Sequence, residues 1–94
     1  MAKLRTLKKD IDYLVSEVIS DCYTLIYLYP ERKEGAFEIV NNTVEFRNHL
    51  FERANNPDGK ADKKLAKIHY KNINKDLLTG IDNLFIKISE LTKK

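Results

Sequence analysis

Cysteine occurs once in this 94-residue chain, proline twice and glycine three times. A single thiol cannot close an internal disulfide, which excludes a disulfide scaffold. Three glycines leave little material for a phosphate-cradling loop. Cys-x-x-Cys, His-Glu-x-x-His and nucleophile-elbow patterns are missing as well. No apolar run approaches the roughly 18 residues that a membrane span needs. The apolar residues after the opening Met1-Ala2-Lys3-Leu4-Arg5 are interrupted by Lys8, Lys9, Asp10 and Asp12. No signal-peptide core is therefore expected, and the expected location is cytoplasmic. Neither period-two alternation of β-branched residues nor an internal repeat occurs, so strands have no support.

What is present describes a folded chain. Hydrophobic residues make up 43% and charged residues 33%, too apolar for disorder. Residues 1–94 are expected to form a single domain with one modest core. A net charge of +3 is too small by itself to declare a nucleic-acid or membrane partner. Asn41-Asn42-Thr43 matches a glycosylation acceptor, but it lies within a helical pattern in a chain expected to stay in the cytoplasm, and it is discounted.

Three segments carry helical periodicity, and the spacing predicts helices over about 3–29, 33–56 and 61–92. In the first, Leu4, Leu7, Ile11, Leu14, Val18, Cys22 and Leu25 recur every three or four residues, which places them on one face. Cys22 belongs to that stripe and reads as a small buried hydrophobe. Pro30 removes an amide donor and disfavours helix at Tyr29, so the first helix should stop there. The second segment places Ala36, Val40, Val44, Leu50, Phe51 and Ala54 inward. Pro57-Asp58-Gly59 is turn chemistry. In the third, Ala66, Tyr70, Ile73, Leu77, Ile81, Leu84, Ile88 and Leu91 hold one phase straight through Gly80, so one long helix is expected, with a bend near Asn72 to Asn74 or at Gly80 left open. The resulting architecture is all-α, an up-down-up antiparallel three-helix bundle about 35 to 45 Å long. So thin a rod has one layer of core and no deep pocket, which argues against an enzyme working alone.

The most distinctive feature is a second stripe on the first helix. Tyr13, Ser16, Ser20, Tyr23 and Tyr27 repeat at helical spacing nearly opposite the apolar face, with no charge in the row. Three tyrosines among small hydroxyl residues suit a contact surface better than a solvated face. Arg47 falls near the centre of the second helix's apolar stripe, where a charge needs a partner. With a turn near residue 32, Glu17 lies level with it and Asp21 one turn away, and together with the Tyr70 hydroxyl these form an expected structural polar core. Lys60, Lys64, Lys67, Lys71 and Lys75 form a ladder along the third helix that suits a phosphate backbone, although no arginine joins it. Glu38, Glu45 and Glu52 make an acidic row on the second helix that an oligomer could set against those lysines. Glu45, His49 and Glu52 share a face but lack the Glu-x-x-His pairs of bundle metal sites, and His69 with Asp62 is no better.

The opening Leu4-Arg5-Thr6-Leu7-Lys8-Lys9-Asp10-Ile11, followed by Leu14-Val15-Ser16-Glu17-Val18, resembles the start of small bacterial all-α proteins without assigned activity. The resemblance covers mainly the first helix and carries over no functional residue. The functional expectation is therefore a non-enzymatic helical interaction module with no cofactor and no metal. It would self-associate, most simply as a dimer, through Tyr13, Ser16, Ser20, Tyr23 and Tyr27, or bind another helical protein by that face. The alternative is a nucleic-acid accessory protein using the lysine ladder. A third class is an enzyme whose site assembles between subunits from Glu17, Asp21, Arg47, His49 and Tyr70.

Overall fold

The computed structural model describes residues 2–55 and 63–93, with side chains from Arg5 onward. They form α1 (Ala2–Leu28), a 3-10 turn (Pro30–Arg32), α2 (Lys33–Asn55) and α3 (Lys63–Lys93). Each helix packs on the other two in an up-down-up antiparallel bundle. No strand occurs among the described residues. The rod measures 51 × 18 × 15 Å, longer than the sequence suggested because α3 alone runs for 31 residues at about 1.5 Å each. The Pro57-Asp58-Gly59 turn and Lys60 lie outside the described residues.

The first hairpin turns where proline dictates. Tyr29 leaves helical geometry with φ −133° and ψ 75°, as a residue before proline should. Its amide still donates to the Leu25 carbonyl at 2.7 Å, and the Arg32 amide donates to Tyr29 at 2.9 Å. The chain reverses within one 3-10 turn, and α2 begins at Lys33.

The core is a single column. Leu7, Ile11, Val15, Val18, Cys22 and Leu25 come from α1; Ala36, Ile39, Leu50 and Ala54 from α2; Ile73, Leu77, Ile81, Leu84 and Ile88 from α3. Burial of each large aliphatic contributes about 1.5–3 kcal/mol relative to exposure. The buried face of α2 differs from the sequence expectation. It centres on Ile39 and Thr43, while Val40 is half-buried and Val44 is exposed. An element between two neighbours must divide its apolar arc between them, so its core direction bisects α1 and α3 rather than following its most hydrophobic row. Thr43 tolerates full burial because its Oγ1 donates to the Ile39 carbonyl at 2.7 Å.

α3 runs unbroken through Asn72, Asn74 and Gly80. The glycine marks a close approach: a Cβ built there would fall well inside van der Waals contact of the Phe46 ring. Phe46 therefore occupies a notch in α3 that only glycine leaves open. One turn into α2, a Cβ at Gly35 would meet only the tip of Leu91, 2.9 Å from Cδ1. The same register brings Arg53 Nη1 to Asp76 Oδ2 at 2.8 Å.

Two helix C-termini are closed by donors from neighbouring elements. Last-turn carbonyls have no intrahelical partner and carry the negative end of the helix dipole. Arg32 Nη1 donates to the Leu91 carbonyl near the end of α3. His69 Nε2 donates to the Arg53 carbonyl near the end of α2, at 2.7 Å.

Gly80→Ala is expected to destabilise the fold by about 1–2 kcal/mol, because overpacking outweighs the helix-propensity gain of about 1 kcal/mol. Adding Phe46→Leu should cost less than the sum of the two changes, since the second removes the clash made by the first. Urea unfolding of the four species reads the cycle. A Gly80→Ala protein more stable than the parent would contradict the notch.

Candidate functional site

The outer face of α1 presents Tyr13, Ser16, Ser20, Tyr23 and Tyr27 together, all exposed and turned from the core. Tyr13 is 65%, Tyr23 55% and Tyr27 84% exposed, far more than rings that contribute to a monomer's packing. A shallow groove runs along this face, lined by Ser16, Ile19, Ser20, Tyr23, Thr24 and Tyr27. Its hydroxyls are less available than the sequence suggests. Ser16 Oγ donates to the Tyr13 carbonyl at 2.7 Å and Thr24 Oγ1 to the Ser20 carbonyl at 3.1 Å. With those protons directed into their own helix, Ser16 and Thr24 can be covered at modest desolvation cost.

Sequence reasoning missed that this face continues onto α2. Two contacts set the α1–α2 register: Arg47 Nε donates to Asp12 Oδ1 at 2.7 Å, and Lys8 Nζ lies 5.9 Å from the Phe51 ring centroid. In that register Tyr23 lies close to the level of Phe37, and Ser16 close to that of Val44. Phe37 is 45% and Val44 40% exposed. Ile19, Ile26 and Val40 are half-buried hydrophobics packed against the core, and their helical phase puts them along the α1–α2 seam. The signal existed in the sequence as Phe37 and Val44, seven residues apart and therefore on one helical row. Only the register shows that the row adjoins the tyrosines.

The expected polar core is corrected. Arg47 pairs with Asp12, not with Glu17, Asp21 or Tyr70. The hairpin turns at Tyr29–Pro30 rather than near residue 32, which slides the level partner of Arg47 toward the N-terminus of α1 by more than a helical turn. Arg47 stands at the edge of the α2 core face, half-buried. Its guanidinium lies 4.2 Å from the Phe51 ring centroid, and Nη1 donates to Asn48 Oδ1 at 3.3 Å. Glu17 and Asp21 are exposed, while Tyr70 is half-buried against the core, its ring 5.7 Å from that of His69. The five residues considered for an inter-subunit enzyme site do not converge within one chain.

Lys64, Lys67, Lys71 and Lys75 are exposed along α3. Lys67 and Lys71 line a groove between α1 and α3 with Thr6, Leu7, Asp10, Tyr70 and Asn74. A carboxylate therefore shares the groove with the middle of the ladder and reduces its attraction for phosphate. Glu38, Glu45 and Glu52 are exposed on α2. Glu38 lines a groove on the α3 side with Lys87 and Glu90, away from the ladder. His49 is exposed, and no group of three or more His, Cys, Asp or Glu side chains converges among the described residues. No described helix is long and apolar enough to cross a membrane.

Cys22 is fully buried. Desolvation, helped by the neighbouring Asp21 charge, pushes its thiol up to about 11 from 9.0. The raised value means the thiol's contribution to stability is complete below about pH 9 and is lost as pH climbs through about 11.

Arg47→Met should be milder than Arg47→Ala, because methionine keeps the contact with Phe51 while the exposed ion pair is worth under about 1 kcal/mol. Equal melting temperatures for the two variants would contradict this. At pH 8 the native Cys22 thiolate is roughly a hundredfold scarcer than in the unfolded chain. Labelling by a disulfide reagent should therefore be at least about a hundredfold slower in buffer than in urea; comparable rates would show an accessible thiol.

No protein-family model matches this chain, and comparisons with curated proteins and with solved structures return no match.

Proposed function

We propose that this chain is a non-enzymatic helical interaction module that self-associates through the tyrosine face of α1. The observation that carries the reading is the exposure of Tyr13, Tyr23 and Tyr27 in one charge-free row. Tyrosine brings large contact area at low conformational cost and is enriched where proteins meet. A row of three, continuous in level with Phe37 and Val44 on α2, makes a larger apolar surface than scattered exposure requires. The other chemical rows support the reading less. The middle of the lysine ladder shares its groove with Asp10, and Glu38 of the acidic row lines a different groove with Lys87 and Glu90. The cytoplasmic setting belongs to the same proposal, since a lone buried thiol is at home in a reducing compartment.

Light scattering on the native chain is expected to give twice the 11.0 kDa chain mass. Tyr23→Glu combined with Tyr27→Glu should give a monomer with an unchanged helical circular dichroism spectrum, because two buried carboxylates oppose the interface and nothing in the monomer core touches them. A native monomer at high micromolar concentration would end the self-association reading.

A further inference from the structure

Any patch that binds a second copy of itself about a twofold axis must be self-complementary: what lies above the axis on one chain has to fit what lies the same distance below it on the other. The outer face of α1 has that property about Ser20. Tyr13 and Tyr27 lie seven residues to either side; Ser16 lies four before and Tyr23 three after. The rings of Tyr13 and Tyr27 therefore fall at matching heights, the Tyr23 ring falls near the height of the small Ser16, and the small Ser20 side chain sits where two backbones must come closest.

The α2 edge has an independent centre of symmetry at nearly the same height. The Asp12–Arg47 contact sets Ser20 level with about Ile39. Phe37 and Val44, the exposed hydrophobics of that edge, straddle residues 40 and 41. The two centres differ by only about 2 Å along the rod at 1.5 Å per residue. Two helices with unrelated sequences thus place their apolar groups symmetrically about one level. Between Asp12 and the end of α1, the row holding the tyrosines and serines is uncharged. The stretch of α1 from Lys9 to Leu28 spans about 29 Å, and the bundle is 18 Å broad. The footprint is of the order of 500 Å² as a flat projection, which the relief of a ridged helical surface raises toward the ~800 Å² per partner of a standard interface.

We infer that two copies pair about a twofold axis perpendicular to the rods at the level of Ser20, with α1 antiparallel to α1 and α2 antiparallel to α2 across the interface. This rests on the self-association reading and adds its geometry. Tyr13 then stacks near the partner's Tyr27, Ser16 beside the partner's Tyr23, and Phe37 near the partner's Val44, making a four-helix layer flanked by the two copies of α3.

Cysteine cross-linking distinguishes the geometry from the association itself. Cys22 is buried and stays in place, with the native chain as control. At the axis, Ser20→Cys meets its own copy, and mild oxidation should convert more than half of the chains to a covalent dimer. Ser16→Cys lies about 12 Å along the rod from its own copy in the antiparallel arrangement, beyond the ~7 Å Cα separation that a disulfide spans, and should cross-link no more than the control. Both substitutions are small and exposed, and light scattering under reducing conditions confirms the dimer mass for each. A native dimer in which Ser16→Cys cross-links shows a parallel pair, and one in which neither variant does moves the contact off Ser20; either result overturns the inference while leaving self-association standing. A native chain of monomer mass overturns the self-association reading and this inference with it.

Discussion

Phe46 reaches into α3 at the one place where no side chain blocks it, and the register between α2 and α3 depends on that contact. Gly80 has no Cβ, so the ring can approach the helix backbone; shifting α3 by a turn in either direction would drive the ring into Asp76 or Leu84 rows instead of a notch. The remaining α2–α3 contacts are consistent with this one alignment. Leu91 closes over Gly35, Arg53 reaches Asp76, and His69 reaches the Arg53 carbonyl. Arg32, held in the hairpin, reaches the last turn of α3 at the other end of the bundle from His69. The two capped carbonyls tie register to the helix ends, where frayed backbone would otherwise be hydrated.

The alignment also sorts the surface. Each pair of helices leaves a seam, and the three seams differ in chemistry. The α1–α3 seam holds lysines with Asp10 and Tyr70. The α2–α3 seam mixes Glu38, Lys87 and Glu90. The α1–α2 seam carries the Asp12–Arg47 pair and Lys8 at one end and is apolar toward the hairpin, where Tyr23 on one helix and Phe37 and Val44 on the other bound it. Charged seams are solvated without penalty, whereas the apolar one leaves surface in water that association would remove. This contrast, rather than any single tyrosine, makes the α1–α2 side the functional candidate.

Much of this was legible in the sequence. The stripes from Leu7 to Leu25 and from Tyr70 to Leu91 identified two helices and their buried faces, and Pro30 marked the end of the first helix. The outward position of Tyr13, Tyr23 and Tyr27 followed from spacing alone. The second helix is less legible. Its hydrophobic residues extend over a broad arc, and the sequence pattern favoured Val40 and Val44, while packing against two neighbours buried Ile39 and Thr43 instead. The need of Arg47 for a carboxylate on α1 is legible in the sequence, but which carboxylate is not, because a shift of the turn by two or three residues changes the facing position by twice as many.

The sequence by itself determined which segments are helical and which rows of α1 and α3 point inward, since those follow from spacing within one continuous segment. Tertiary structure decided the register: that Phe46 fills the gap at Gly80, that Asp12 receives Arg47, and that the edge of α2 extends the tyrosine face of α1. Register arises from steric and charge matching between residues far apart in the chain, and a one-turn slide preserves every helical stripe while exchanging every partner.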